Sequence, residues 1–189
     1  MPQSRLQDTA RGYGWISIGL HWISAIAIVA IWIAGNSIGA GGGDFEAALR
    51  LHTSLALSAY AVLAARIFWR LKSGHPGRLP TQWRISFGLG MLLHYGLLLC
   101  MIGMLVSGPL LAWCGGLPLQ LFDWTLLPPV TPKPAAFALL LKFHATTASM
   151  LMIGVLLHIL GVLFHLPIAK DRTFEKMMIA DKGDSAGRR

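Results

Sequence analysis

The chain has 189 residues, of which 54% are hydrophobic and only 13% charged, with a mean hydropathy of +0.59. A soluble globular domain carries about a quarter charged residues, so that class is excluded and long apolar runs become the first thing to find. The net charge of +8 is carried by short segments between apolar runs, which is a membrane-topology pattern and argues against a nucleic-acid-binding face.

Four runs are long enough to cross a hydrocarbon layer of about 30 Å as helices. They cover about 15–36, 47–71, 84–113 and 135–168. Trp15, Trp32, Trp69, Trp113 and Trp124 lie near their ends, where indoles anchor spans at the interface. The first run is too long for the apolar core of a signal peptide, and no A-x-A site follows it. The expected architecture is all-α: an integral membrane four-helix bundle, a single domain over 1–189 with no internal repeat. The proline-rich connection from Cys114 to Pro134 is expected to cap one end of the bundle. The segment "TFEKMMIA" in the tail is expected to form a short amphipathic helix.

Basic residues orient the spans. Arg5 and Arg11 precede the first, while Arg66, Arg70, Lys72, Arg78 and Arg84 surround the second connection. Lys170, Arg172, Lys176, Lys182, Arg188 and Arg189 follow the fourth. Only Arg50, Lys133 and Lys142 fall on the other side. The positive-inside rule then places both termini in the cytoplasm.

Cys100 and Cys114 lie fourteen residues apart in one apolar stretch, about 21 Å along a helix and too far to bridge. No CxxC or CxxCH occurs, so zinc-ribbon, thioredoxin-like and c-type haem attachment have no support.

Six of the seven histidines lie within or at the edge of spans; His75 falls in a loop and is expected to be solvated. Polar side chains inside a bilayer are costly and have partners. A single one would be an ordinary helix–helix hydrogen bond, but that reading does not extend to five or six. Depth sorts them. His52 and His144 lie near the outer side, and His21, His94 and His158 near the inner side, with His165 at the inner interface. From His144 to His158 is fourteen residues, close to four full turns and about 21 Å of rise. Both rings leave one helix face, one near each side of the membrane, so they serve two separate cofactors. The spans contain no Asp or Glu, which disfavours zinc or copper sites. An imidazole from each of two helices suits a porphyrin held through both axial positions. Gly88, Gly90, Gly96, Gly154 and Gly161 would let helices approach or leave room for a ring. Depth alone leaves His21 and His94 both open as partner of His158.

The stretches "ISIGLHW", "LHTSLALSAYAVLAARIFWRL", "HYGLLLCMIGMLVSG", "KFHATTASMLMIGVLLH" and "KDRTFEKMM" resemble the bacterial cytochrome b561 family over essentially all four spans. The resemblance implies two b haems in the bacterial inner membrane, with His52 and His144 as axial iron ligands of the outer one. It selects His21 with His158 for the inner one and leaves His94 and His165 as candidate quinone contacts. It further implies oxidoreductase activity, with electrons passing from an outer donor to ubiquinone. The donor is a small anion, as in enzymes similar to superoxide oxidase, or a protein; lipid is the surrounding partner and nucleic acid is not one. Arg50, Lys133 and Lys142 are candidate cations for steering an anionic donor. Asp171, His94 and His165 are candidate proton donors to the quinone. The competing readings are a cytochrome b subunit of a larger hydrogenase- or formate dehydrogenase-like complex and a haem-free histidine-relay transporter.

Overall fold

The computed structural model describes residues 6–10, 12–39, 44–78, 83–164 and 177–180. Its elements in chain order are α1 (Trp15–Gly39), α2 (Phe45–Ser73), α3 (Arg84–Cys114), β1 (Leu119–Leu121), β2 (Trp124–Leu127) and α4 (Pro134–Phe164). All four helices are long and apolar enough to cross a membrane, and their boundaries follow the four runs closely. His165, Asp171 and the basic tail residues lie outside the described residues.

Local chemistry sets the helix ends. Asp44 caps α2, its carboxylate accepting from the amides of Glu46 at 2.9 Å and Ala47 at 3.3 Å, two of the donors a helix start leaves unpaired. Pro134 opens α4 at a position where its missing N–H costs nothing. After α3 the chain turns at Gly116, with φ 66°. A Cβ there would lie 2.6 Å from the Val130 carbonyl oxygen, so conformation and space both require glycine.

The helices associate as two pairs, α1 along α2 and α3 along α4, with α2 meeting α3 more sparingly. A small apolar cluster of Leu63, Leu98 and Met101, flanked by Ile28, Ile31 and Leu105, joins the pairs. Elsewhere large apolar side chains face outward, Ile26, Leu92 and Leu139 each 70% exposed, as lipid-facing surface requires. The side chains buried most completely are four serines, Ser17, Ser24, Ser54 and Ser107, in keeping with the small residues that pack membrane helices. Of the five glycines expected to let helices approach or to leave room for a ring, Gly154 sits at a close approach, where a Cβ would meet Leu97 at 2.8 Å. A Cβ at Gly88, Gly90, Gly96 or Gly161 would meet open space.

The connection 115–133 does cap one end of the bundle, but as a two-stranded antiparallel hairpin with Leu121 paired to Trp124. Its turn holds Phe122 at φ 52°, an uncommon conformation for a bulky residue. The amide of Phe122 donates to Ser54 Oγ at 2.6 Å, which ties the turn to α2. We call this the hairpin end. At the opposite, terminal end, the segment before α1 folds under the bundle. Residues 177–180 return there, the Trp22 indole donating to the Met177 carbonyl at 3.1 Å and Ala180 packing on Tyr13 and Ile18. The rest of the expected tail helix lies outside the described residues. Both cysteines are free thiols.

Candidate functional site

At the hairpin end, α2 and α4 bring His52 and His144 together, with ring centroids 6.3 Å apart and planes at 87°. Each ring is fixed through Nδ1. That of His52 lies 3.0 Å from the Ile31 carbonyl oxygen, and that of His144 lies 2.8 Å from Ser107 Oγ. A carbonyl can only accept, so Nδ1 of His52 carries the proton and Nε2 keeps a free lone pair. Ser107 points its own hydrogen at the Met104 carbonyl, 3.5 Å away, and so accepts from His144 in the same sense. Gly35 on α1 makes the first arrangement possible: a Cβ there would stand 3.1 Å from the His52 ring.

Beside these rings is an apolar cleft with about 890 Å³ free of protein atoms, partly open to the surroundings. Its walls include Leu57, Tyr60, Met104, Gly108, Pro109 and Leu119. Pro109 lies inside α3; having no N–H, it leaves the carbonyl four residues back without its helical donor. That carbonyl belongs to Leu105 and accepts from the Tyr60 hydroxyl at 3.4 Å. Tyr60 thereby satisfies a polar group that hydrocarbon would otherwise surround.

At the terminal end, α1 and α4 bring His21 and His158 to 6.1 Å between centroids, with planes at 66°. His94 of α3 also reaches His158, at 5.1 Å. On its other side His94 stacks on His75 at 5.3 Å, the planes 8° apart. The expectation of a solvated His75 is therefore corrected: the loop after α2 folds back, and the half-buried ring lies against His94 and Tyr95 of α3 and against Tyr13 of the segment before α1. Nδ1 of His75 lies 3.3 Å from the Tyr13 hydroxyl. Burial, then the charges of Arg70 and Arg66, push His75 down to about 4, while burial pushes the Tyr13 phenol up.

Sequence reading missed the polar cap beneath this stack. Asp8 accepts from the Gly14 amide at 2.8 Å and from Ser17 Oγ at 2.7 Å. It also pairs with Arg70 at 3.5 Å, both side chains being largely buried. The Trp69 indole donates to Ser17 Oγ at 2.8 Å, and the Arg70 guanidinium lies 4.9 Å from the Tyr13 ring centre. Arg66 approaches Nδ1 of His21 at 3.1 Å. No local motif announces these residues; the one available signal is that Asp8 is the sole acid in the sequence before α1 and between α2 and α3, against Arg5, Arg11 and Arg78.

The candidate steering cations are spread over the hairpin end. Arg50 pairs with Asp123 at 3.8 Å, both exposed. Lys133 places Nζ 4.6 Å from the Trp113 ring centre. Lys142 is exposed, two residues before His144. Asp44, Glu46 and Asp123 share this end, so its three bases are matched by three acids.

Two histidine pairs thus lie one at each end of α4, each joining two helices. The family model described as "Prokaryotic cytochrome b561" matches residues 12–179. The chain belongs to the prokaryotic cytochrome b561 family. It is similar to "Cytochrome b561 homolog 2" of Escherichia coli (strain K12), 30% identical over 184 residues covering 94% of this chain and 96% of the relative. It is also similar to "Probable superoxide oxidase CybB" of Yersinia pestis, 24% identical over 177 residues covering 90% and 98%. Membership makes this cytochrome b561 a multi-pass membrane protein of electron transfer, with b-type haem as its cofactor.

Proposed function

We propose that this cytochrome b561 is a di-haem, quinone-linked oxidoreductase of the bacterial inner membrane. It passes electrons from a donor at the hairpin end, superoxide in the first instance, to ubiquinone at the terminal end. The positive-inside rule supports a cytoplasmic terminal end. The observation that carries the reading is the pair of cross-helix imidazole couples at opposite ends of α4.

The residues fit the cofactor. Two imidazoles on opposite sides of one iron, with metal–nitrogen bonds of about 2 Å, would hold their centroids roughly 6 Å apart. The His52–His144 and His21–His158 separations of 6.3 and 6.1 Å agree, whereas His94 stands closer to His158 than such a couple would. Among the described residues no group of three or more His, Cys, Asp or Glu could hold a bare metal ion, and donors in twos suit a metal whose other ligands come with a macrocycle. Ser24 adds a fully buried hydroxyl without a partner among the described residues, three residues beyond His21 on the same helix face. His52 and His144 would hold one haem and His21 and His158 the other, each through Nε2. When bound, haem would supply one-electron redox chemistry.

The chain's own residues do the remaining work. The carbonyl of Ile31 and the hydroxyl of Ser107 orient the two rings at the hairpin end and keep their protons on Nδ1. The hairpin and the apolar cleft walls limit water there. At the terminal end His94 would hold a quinone oxygen or give a proton to it, a role supported by its contact with His158 and by the His75–Tyr13 contact that leads from it toward the polar cap. His165 keeps the same candidate role. Because acids and bases balance at the hairpin end, attraction of an anionic donor is local; Lys142, exposed on the helix that carries His144, is its proposed source, Arg50 being paired with Asp123 and Lys133 lying over the Trp113 ring.

The test is superoxide-driven reduction of ubiquinone by purified protein in liposomes, with haem content measured on the same sample. Turnover that falls several-fold in Lys142→Glu and loses its salt dependence supports the donor assignment. Haem-replete protein that reduces no quinone with superoxide contradicts it.

A further inference from the structure

We infer that Arg66 makes the terminal-end pair the stronger electron acceptor of the two, so that the protein builds a downhill step from the hairpin end to the terminal end. The inference rests on the reading of the four histidines as haem ligands. What carries it is a contrast at Nδ1. Both hairpin-end rings face acceptors, the Ile31 carbonyl at 3.0 Å and Ser107 Oγ at 2.8 Å. An acceptor at Nδ1 makes an imidazole a more basic ligand and favours the oxidised metal.

His21 faces the opposite chemistry. Its Nδ1 lies 3.1 Å from the guanidinium of Arg66, a group with five donors and no acceptor. Once Nε2 of His21 is committed to iron, Nδ1 must carry its hydrogen, and Arg66 can take no bond from it. The ring stays a weaker donor, and the side chain has to step back while its charge remains close. Asp8 is engaged by Arg70, and among the described residues no carboxylate lies within ion-pair distance of Arg66. A cation in a poorly screened interior stabilises the state that has gained an electron. The weaker ligand and the nearby charge therefore act with the same sign at this end, and both effects are missing at the other.

The experiment is a spectroscopic redox titration of purified wild type, Arg66→Gln, Arg66→Lys and Ser107→Ala, with haem quantified in each. Wild type is expected to show two waves. In Arg66→Gln the higher wave falls by about tenfold in its reduction constant, about 59 mV for one electron, and the lower wave stays. Arg66→Lys keeps the charge and holds the higher wave near its wild-type position. Ser107→Ala, which deprives His144 of its acceptor, raises the lower wave only. The inference is overturned if Arg66→Gln carries its full haem and both waves stay in place, or if the lower wave is the one that moves. A shift in Arg66→Lys as large as in Arg66→Gln also overturns it, since charge would then not be the cause. Wild type with fewer than two haems would sink the ligand reading itself, a result the haem measurement separates from the others.

Discussion

The two ends of α4 present the same ligand type in contrasting surroundings. At the hairpin end the couple is held by one backbone carbonyl and one serine, beside an apolar cleft, under a short hairpin pinned by Ser54. At the terminal end the couple is crowded by His94, His75, Arg66 and the Asp8–Arg70 cap. On the di-haem reading, a fourteen-residue spacing sets where the two haems would sit, whereas the groups at Nδ1 and the charges behind them set how the sites would differ. The first is a property of one helix; the second needs residues from four segments.

The largest expected effect separates the neighbours of His158. His21→Ala should remove one haem of two, while His94→Ala should retain both and slow quinone reduction at least tenfold; a pyridine haemochrome assay with a quinone reductase assay reads both. Equal haem loss in the two variants would erase the distinction drawn from the 6.1 and 5.1 Å separations. Next is the cap. Asp8→Asn leaves the buried Arg70 charge without its partner and should cost about 3–5 kcal/mol, read as a lower midpoint in thermal unfolding in detergent. The hairpin end should respond less: Ser54→Ala frees the Phe122 amide and should cost about 1 kcal/mol, with faster proteolysis of the hairpin as the sharper readout. Tyr60→Phe uncovers the Leu105 carbonyl beside Pro109 and should cost about 0.6 kcal/mol. The smallest effect is with pH. His75 is held down to about 4, below the ordinary value near 6.5, so the unfolded chain takes up a proton that the folded one refuses. Stability should therefore decline as pH falls from about 6.5 toward 4, and His75→Gln should flatten that part of the profile.

The spans, their order and the pairing of depths were legible because each rests on a local regularity: about twenty apolar residues, a count of basic residues, a multiple of the helical repeat. Depth counted along the oriented spans also grouped His52 with His144 without any knowledge of the loops. What escaped were contacts without a period. Asp8 reaches Arg70 across sixty-two positions, His75 returns to His94 because a glycine-terminated helix turns back, and Tyr60 serves a carbonyl that only a proline in another helix exposes. The strands Leu119–Leu121 and Trp124–Leu127 are too short, and too closely flanked by prolines, for alternation to stand out from loop. Arg66 read as one more residue of the positive-inside count; its direction toward His21 is visible only in three dimensions.

The central claim is that one helix supplies a ligand to each of two separate haems, and haem per chain across wild type, His144→Ala and His158→Ala tests it most directly. The account predicts two haems in the wild type and one in each variant, with the spectral component lost from one variant being the component kept by the other. A single haem in the wild type, or variants that lose the same component, would contradict it.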